Sequence, residues 1–312
     1  MQTVSLIIPN WNGREILGTC LDAVRLQSLV PHEVIVVDNG STDGSEEFIR
    51  QNYPEVHLIL LGVNIGFAGA VNRGIERATG IYIALLNNDT EPDRDWLKAL
   101  VTRLESSPES GSAACKMVDF FDHSLLDGAG DILSRVGLPV TRGFGEPNDG
   151  RYSLADEVFG PCAGACVYRR EVLNRIGLFD EDFVSYYEDA DLAFRAQMAG
   201  YRCLYAPDAV CLHHRGATSK RLGRYATRMQ ERNMVALYVK NFPLFLLLPL
   251  VPLILAGRVR HLYRGARDGY GVTLLRGWLD GILILPRAAA KRRNVQRLRT
   301  VPLYTLRAWF GK

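Results

Sequence analysis

The chain has 312 residues, 47% of them apolar, which is enough for one or two domains with a full core. Its formal charge of +3 conceals a division: 17 basic residues stand against 31 acidic ones up to His214, and 20 against 3 from Arg215 onward, giving balances of −14 and +17. Such asymmetry excludes a uniformly charged surface and predicts two faces with different partners, the basic one suited to anionic lipid; no nucleic-acid partner is expected, because no recognition module is visible.

In chain order, Val4–Ile8 is a β-branched apolar run ended by Pro9-Asn10 and predicts a buried strand. Arg14 to Gln27 carries apolar residues at helical spacing, and Glu33–Val37 is a second buried strand that stops at Asp38-Asn39-Gly40. A short helix holds Glu46, Phe48 and Ile49, followed by a strand at His57–Leu61, a helix at Ala68–Ala78 and a strand at Ile81–Leu86. The next helix is expected to start at Pro92. This alternation predicts an α/β fold with a mostly parallel sheet and helices on both faces, where ligands sit beyond the carboxyl ends of the strands.

The glycine-rich stretch from about Phe120 to Phe159 reads as a looped acceptor-side insertion, and Gly160 to Ser219 as a second ordered block. Beyond it come a basic helix, the apolar run Phe242–Ala256 with three prolines, and basic amphipathic sequence to the end. Fifteen residues are too few to cross a bilayer, so this part is expected to lie in the interface as a basic, membrane-associating helical extension. The six cysteines contain no C-x-x-C, and the amino terminus lacks a basic flank followed by a long apolar run; a reducing compartment and no signal peptide are expected.

Three polar clusters end three strands: Pro9-Asn10, Asp38-Asn39 and Asn87-Asn88-Asp89. Asp38 is placed to accept a base N–H, and Asp89 to meet a divalent ion whose other ligands come from a diphosphate. Asn64-Ile65-Gly66 leads into a helix whose amino terminus suits an anion, with Asn72 and Arg73 as added donors. Glu188, Asp189 and Asp191 crowd one helix start, where mutual repulsion raises a carboxylate toward the working range of a base. His213 follows an apolar strand and is placed as a metal ligand.

The ordered set SLIIPNWNG, VIVVDNGSTDGS, NIGFAGAVNRGI, LLNNDTEP, GACVYRREVLNRIGLFDEDF, YYEDADLAFRAQMAG and HHRGATS resembles family 2 glycosyltransferases, especially their rhamnosyltransferase-like members of polysaccharide and cell-wall assembly. The resemblance covers about residues 3–220 and implies a GT-A nucleotide-diphospho-sugar transferase domain over 1–220, with the helical extension over 221–312. It implies an inverting transfer, dependent on Mg or Mn, from a nucleotide-diphosphate sugar to a glycan or lipid-linked acceptor at the cytoplasmic face of the membrane. Pro9 and Asp38 then hold the base and ribose, with Asn10, Asn39, Asn64, Gly66, Asn72, Arg73, Asn87 and Asn88 lining the nucleotide-sugar pocket. Asp189 is the implied base beside Glu188, and Asp89 with His213 the implied metal site. Asn87 stands where the family's Asp-x-Asp motif has its first acid, which predicts weak metal binding. A sugar nucleotidyltransferase and a non-catalytic nucleotide-sugar-binding protein remain as alternatives. The first lacks support because Pro9–Gly13 is not a G-x-G-T-R-type loop, the second because the acidic cluster is intact.

Overall fold

A computed structural model describes residues 3–214 and 223–311. The expected domain boundary at 220/221 and the end of the HHRGATS motif lie outside the described residues.

Strands β1 (Val4–Asn10), β2 (Glu33–Asp38), β3 (His57–Leu60) and β4 (Tyr82–Leu86) pair in parallel in the order β4-β1-β2-β3. Successive strand residues face opposite sides, so an unbroken apolar run signals burial on both. Leu6, Ile8, Ala84 and Leu86 face helices α1 (Arg14–Arg25) and α4 (Trp96–Glu105). Ile7, Ile83 and Leu85 face α3 (Gly66–Arg77) and α5 (Arg170–Ile176). Each fully buried Leu or Ile contributes about 1.5–3 kcal/mol.

The rest of the sheet departs from the parallel pattern. β11 (Ala165–Arg169) is antiparallel to both β4 and β6 (Ser110–Asp119), which it separates. β12 (Arg202–His213) runs parallel to β6, and its end takes β5 (Thr90–Pro92) antiparallel. Pro92 therefore ends a short strand, and the helix expected there begins at Trp96 instead. The looped insertion contains β7 (Leu126–Gly128), β8 (Asp131–Leu133), β9 (Pro139–Thr141) and β10 (Asp156–Val158). β7 extends β6, and β8 and β9 form their own two-stranded sheet.

Helix α6 (Glu188–Met198) is apolar on two sides. Leu192 and Ala196 meet the α3–α5 layer, while Ala190, Ala193 and Phe194 pack on Leu237 and Phe242 at the end of α7 (Arg224–Asn241) and on Ile284 of α9 (Gly271–Arg297). The basic extension thus shares a core with the helix that carries the acidic cluster.

Pro249 and Pro252 fall in the first turn of a 3-10 segment (Leu248–Leu250) and of α8 (Val251–Arg267), where a missing N–H costs little. They therefore do not break the run. Leu244–Arg267 is a helical stretch of 24 residues containing an 18-residue window of mean hydropathy 1.6, long and apolar enough by length and composition to cross a membrane. Leu253, Leu255 and Val259 of α8 and Leu275, Leu279 and Leu283 of α9 are exposed. All six cysteines are free, and five are buried; Cys162 is half-buried.

Candidate active site

The strand ends are tied by an amide chain. Asn88 Nδ2 donates to Asn10 Oδ1 at 2.7 Å, and Asn10 Nδ2 donates to Asp38 Oδ2 at 3.1 Å, linking the carboxyl ends of β4, β1 and β2. A Cβ on Gly13 would strike the Asn10 and Asn88 side chains, so only glycine lets the backbone run this close. Asn39 continues the chain: its Oδ1 accepts from Ile65 N–H, and its Nδ2 donates to Asn64 Oδ1 and Gly66 O.

These residues form one wall of a crevice of about 690 Å³, a size suited to a nucleotide-bound sugar. The crevice collects Pro9, Asn10, Asn39, Asn64, Gly66, Asn87, Asn88, Asp89, Glu188, Asp189 and His213. Three expected residues stand outside it. Asp38 lies behind Asn10, with Oδ1 accepting from Ser41 N–H. Asn72 is buried, donating to Phe179 O and accepting from Phe179 N–H. Arg73 is turned to Glu181 and Glu76. The structure thus corrects the assignment of Asn72 and Arg73: on α3 they face the segment before α6, not the crevice. The amino terminus of α3 is also occupied, since Ala68 N–H donates to Val184 O and Phe67 N–H to the Ser185 hydroxyl.

Sheet pairing builds the wall that carries Asp89 and His213. β5 against β12 sets Thr90 opposite His213, which brings Asp89 Oδ1 within 3.4 Å of His213 Nε2. β7 against β6 places Asp127 Oδ2 2.7 Å from His213 Nδ1. Burial works against charge on the imidazole, but the bonds to Asp127 and Asp89 carry its pKa up to about 9. His214 turns away, bonded to Glu91 at 2.7 Å and stacked on Phe120.

The acidic cluster divides. Asp191 is fully buried and meets Arg195 at 2.9 Å, Lys240 at 2.7 Å and Asn241 Nδ2 at 2.7 Å. Burial opposes its ionisation, yet Lys240 and Arg195 hold its carboxyl below the usual range. Glu188 and Asp189 remain on the crevice. Burial raises both, and Asp189 adds to the rise at Glu188; Ala190 and Ala163 N–H groups restrain Asp189. Glu188 Oε2 is buried and makes no hydrogen bond.

Asp131, in β8, opens on the same crevice, and burial together with Asp189 pushes its carboxyl well up. Sequence reasoning missed both Asp127 and Asp131, which lie in a stretch with no periodic signal. Only the pairing of β7 and the bridges of Asp131 to Phe159 and Gly160 bring them to the site.

A crevice lined by strand-end amides, with a carboxylate and imidazole on one wall and buried acids on another, can hold a polar ligand, a divalent ion and a proton acceptor together. The family model described as Glycosyl transferase family 2 matches residues 5–177. An N-acetylglucosaminyl-diphospho-decaprenol L-rhamnosyltransferase of Mycobacterium tuberculosis is 29% identical over 223 residues, 64% of this chain and 72% of that protein. The amylovoran biosynthesis glycosyltransferase AmsB of Erwinia amylovora is also 29% identical over 223 residues, 67% of this chain and 69% of that one. Among solved structures, the mannosyltransferase PcManGT from Pyrobaculum calidifontis, in complex with GDP-Man and Mn2+, is similar with a TM-score of 0.54 at 21% identity, covering 89% of this chain and 86% of its own. Together with the sheet order, these similarities establish a GT-A fold, and the chain belongs to glycosyl transferase family 2.

Proposed function

We propose that this protein moves a sugar from a nucleotide-diphosphate donor to a hydroxyl of a glycan or lipid-linked acceptor in polysaccharide or cell-wall assembly, with inversion at the anomeric carbon. One observation carries the reading: Asp189 opens on the same crevice as Asp89 and His213, under the strand-end amides. Asp189 takes the proton of the acceptor hydroxyl while that oxygen bonds to the anomeric carbon and the bond to the diphosphate breaks. Burial raises its pKa, which makes the ionised carboxylate a stronger base. A single displacement needs no enzyme nucleophile. Rhamnose is the first sugar to try, because the mycobacterial relative is named for it.

Asp89 and His213 fit a divalent ion: their facing atoms are 3.4 Å apart on one wall, and Asp127 fixes the ring orientation. Among the described residues no group of three or more His, Cys, Asp or Glu forms a complete cage. Donor phosphates would supply the missing oxygens, as is usual for Mg. Mg or Mn held there would neutralise charge on the departing diphosphate.

The helices beyond Gly223 lay the protein on an anionic membrane surface, on the cytoplasmic side. The exposed leucines of α8 and α9 and the +17 balance support this reading. Lying along the surface, rather than crossing, is favoured by Glu231 of α7. That buried carboxylate gathers Arg258 and His261 of α8 and Trp278 of α9, holding both helices against the body.

The test is turnover of a panel of nucleotide-diphosphate sugars with a lipid-linked acceptor, reading released nucleotide and the product's anomeric configuration by NMR. A product retaining the donor configuration, or no transfer from any donor in a folded sample, overturns the proposal.

A further inference from the structure

The segment entering α6 is strained. Val184 has φ 62° and ψ −67°, and Ser185 N–H donates to Phe183 O at 2.7 Å, the geometry of a γ-turn that is rare for any residue and rarer for a β-branched one. Tyr186 and Tyr187 follow at φ 72° and 66°. Three of the four non-glycine residues with positive φ among the described residues thus fall immediately before Glu188 and Asp189. Such conformations persist only where the surroundings over-determine them.

What over-determines them can be followed carbonyl by carbonyl. Val184 O accepts from Ala68 N–H, across a contact so close that a Cβ on Gly66 would lie 2.6 Å from the Val184 side chain. Tyr187 O accepts from Asp191 N–H inside the helix. The other three converge on one side chain. Asn233 Nδ2 lies 2.7 Å from Phe183 O, 2.8 Å from Ser185 O and 2.8 Å from Tyr186 O. Asn233 is fully buried, and its Oδ1 accepts from Arg232 Nη1, so the amide is used on both ends. It comes from α7, beyond residues 215–222, in the part of the chain whose charge suggested only a surface role.

We propose that Asn233 is a positioning residue of the active site: its amide holds the Phe183–Tyr187 turn in the shape that aims Glu188 and Asp189 into the crevice. The proposal rests on the reading of Asp189 as the base. No apolar residue of similar volume can replace the amide, because Ser185 O and Tyr186 O would lose their donor and Phe183 O would keep only the strained bond from Ser185 N–H. Misplacement of a base by an ångström is enough to cripple transfer while leaving the strand-end amides, and so donor binding, intact.

The experiment compares Asn233→Ser and Leu237→Ala in the full chain, measuring kcat, KM for the donor and amide hydrogen exchange. Leu237 is buried one turn further along α7 and touches no part of the turn by hydrogen bonds. Asn233→Ser is expected to lower kcat by about 10²-fold with donor KM within about 3-fold. Exchange over residues 183–191 should rise about 10-fold, with the β1–β4 region unchanged. Leu237→Ala should keep kcat at temperatures where it is folded. Should Asn233→Ser fail to fold, Asn233→Gln, which moves the same donors by one methylene, is read in its place. A kcat near that of the unmodified protein, equal losses in Leu237→Ala at matched folded fraction, or failure of both Asn233 variants to fold would overturn the proposal. Failure of the base reading is distinguishable: Asp189→Asn would then keep turnover while the exchange result at 183–191 stands.

Discussion

Asp127 and His213 meet at 2.7 Å, carboxylate oxygen to Nδ1, so the ring's other nitrogen is left facing Asp89. Such outer partners fix the orientation of an imidazole ligand and raise its basicity. Asp127→Ala is therefore expected to weaken Mn2+ binding in the presence of a nucleoside diphosphate by about 10–100-fold. Calorimetric titration reads this without turnover. Unchanged affinity would remove His213 from the ligand set. In the unmodified enzyme, excess chelator should abolish transfer and added Mg or Mn restore it.

Asp189→Asn is expected to lower kcat by about 10²–10⁴-fold, the range of general-base catalysis, with donor affinity within a few-fold. Single-turnover measurement on folded protein separates the two quantities. Turnover near that of the unmodified enzyme assigns the base elsewhere on the crevice, with Asp131 the next carboxylate to test.

Asp180 controls acid stability. Burial opposes its ionisation, yet Lys240 and Lys291, each at 2.5 Å, hold its carboxyl at about 2 against an ordinary 3.8. A lowered carboxyl pKa contributes stability that is complete above the ordinary value and disappears as pH falls through the lowered one. That contribution is about 2 kcal/mol. Asp180→Asn should melt earlier than the unmodified protein at pH 7, and the gap should close between pH about 4 and about 2. A gap that stays constant across that window would show that the pair contributes nothing through ionisation.

Vesicle co-sedimentation of the full chain tests the membrane reading. Binding should require anionic lipid, weaken with salt, and fall in a Leu279→Glu, Leu283→Glu double variant that leaves the buried face of α9 intact. A full chain that stays in the supernatant with anionic vesicles would turn the exposed leucines into a protein-binding face.

Much of the site was legible because β1, β2 and β4 each end an apolar run on abrupt polar residues, which by itself marks the ligand edge of a doubly covered sheet. Roles along a helix were harder to read. Asp189 and Asp191 are two residues apart, about 200° around α6, so one faces the crevice and the other the cations of the core. Asn72 and Arg73 belong to a recognisable motif, but nothing in the motif says which way α3 turns them. Asp127 and Asp131 depend on strand pairings across a region without periodicity. Asn233 sits in a helix whose neighbours are Met234, Ala236 and Leu237, and a lone buried amide gives no hint of its three acceptors.

The unpaired cysteines give the molecule a built-in clock. Burial pushes the thiols of Cys20, Cys115 and Cys203 up to about 12 and raises those of Cys162, Cys166 and Cys211 well above the ordinary value, so at neutral pH almost no thiolate is present to react. All but Cys162 are shielded in the core, while Cys162 borders the crevice. A small alkylating reagent therefore counts two kinds of opening in one sample. Modification of Cys162, slowed by its own raised thiol pKa, is expected to follow access to the crevice and to slow further when a donor fills it. Modification of the other five waits for the sheet to part from its helices, so it reports how much of the core is open when reclosing is faster than alkylation, and the rate of opening when alkylation is faster.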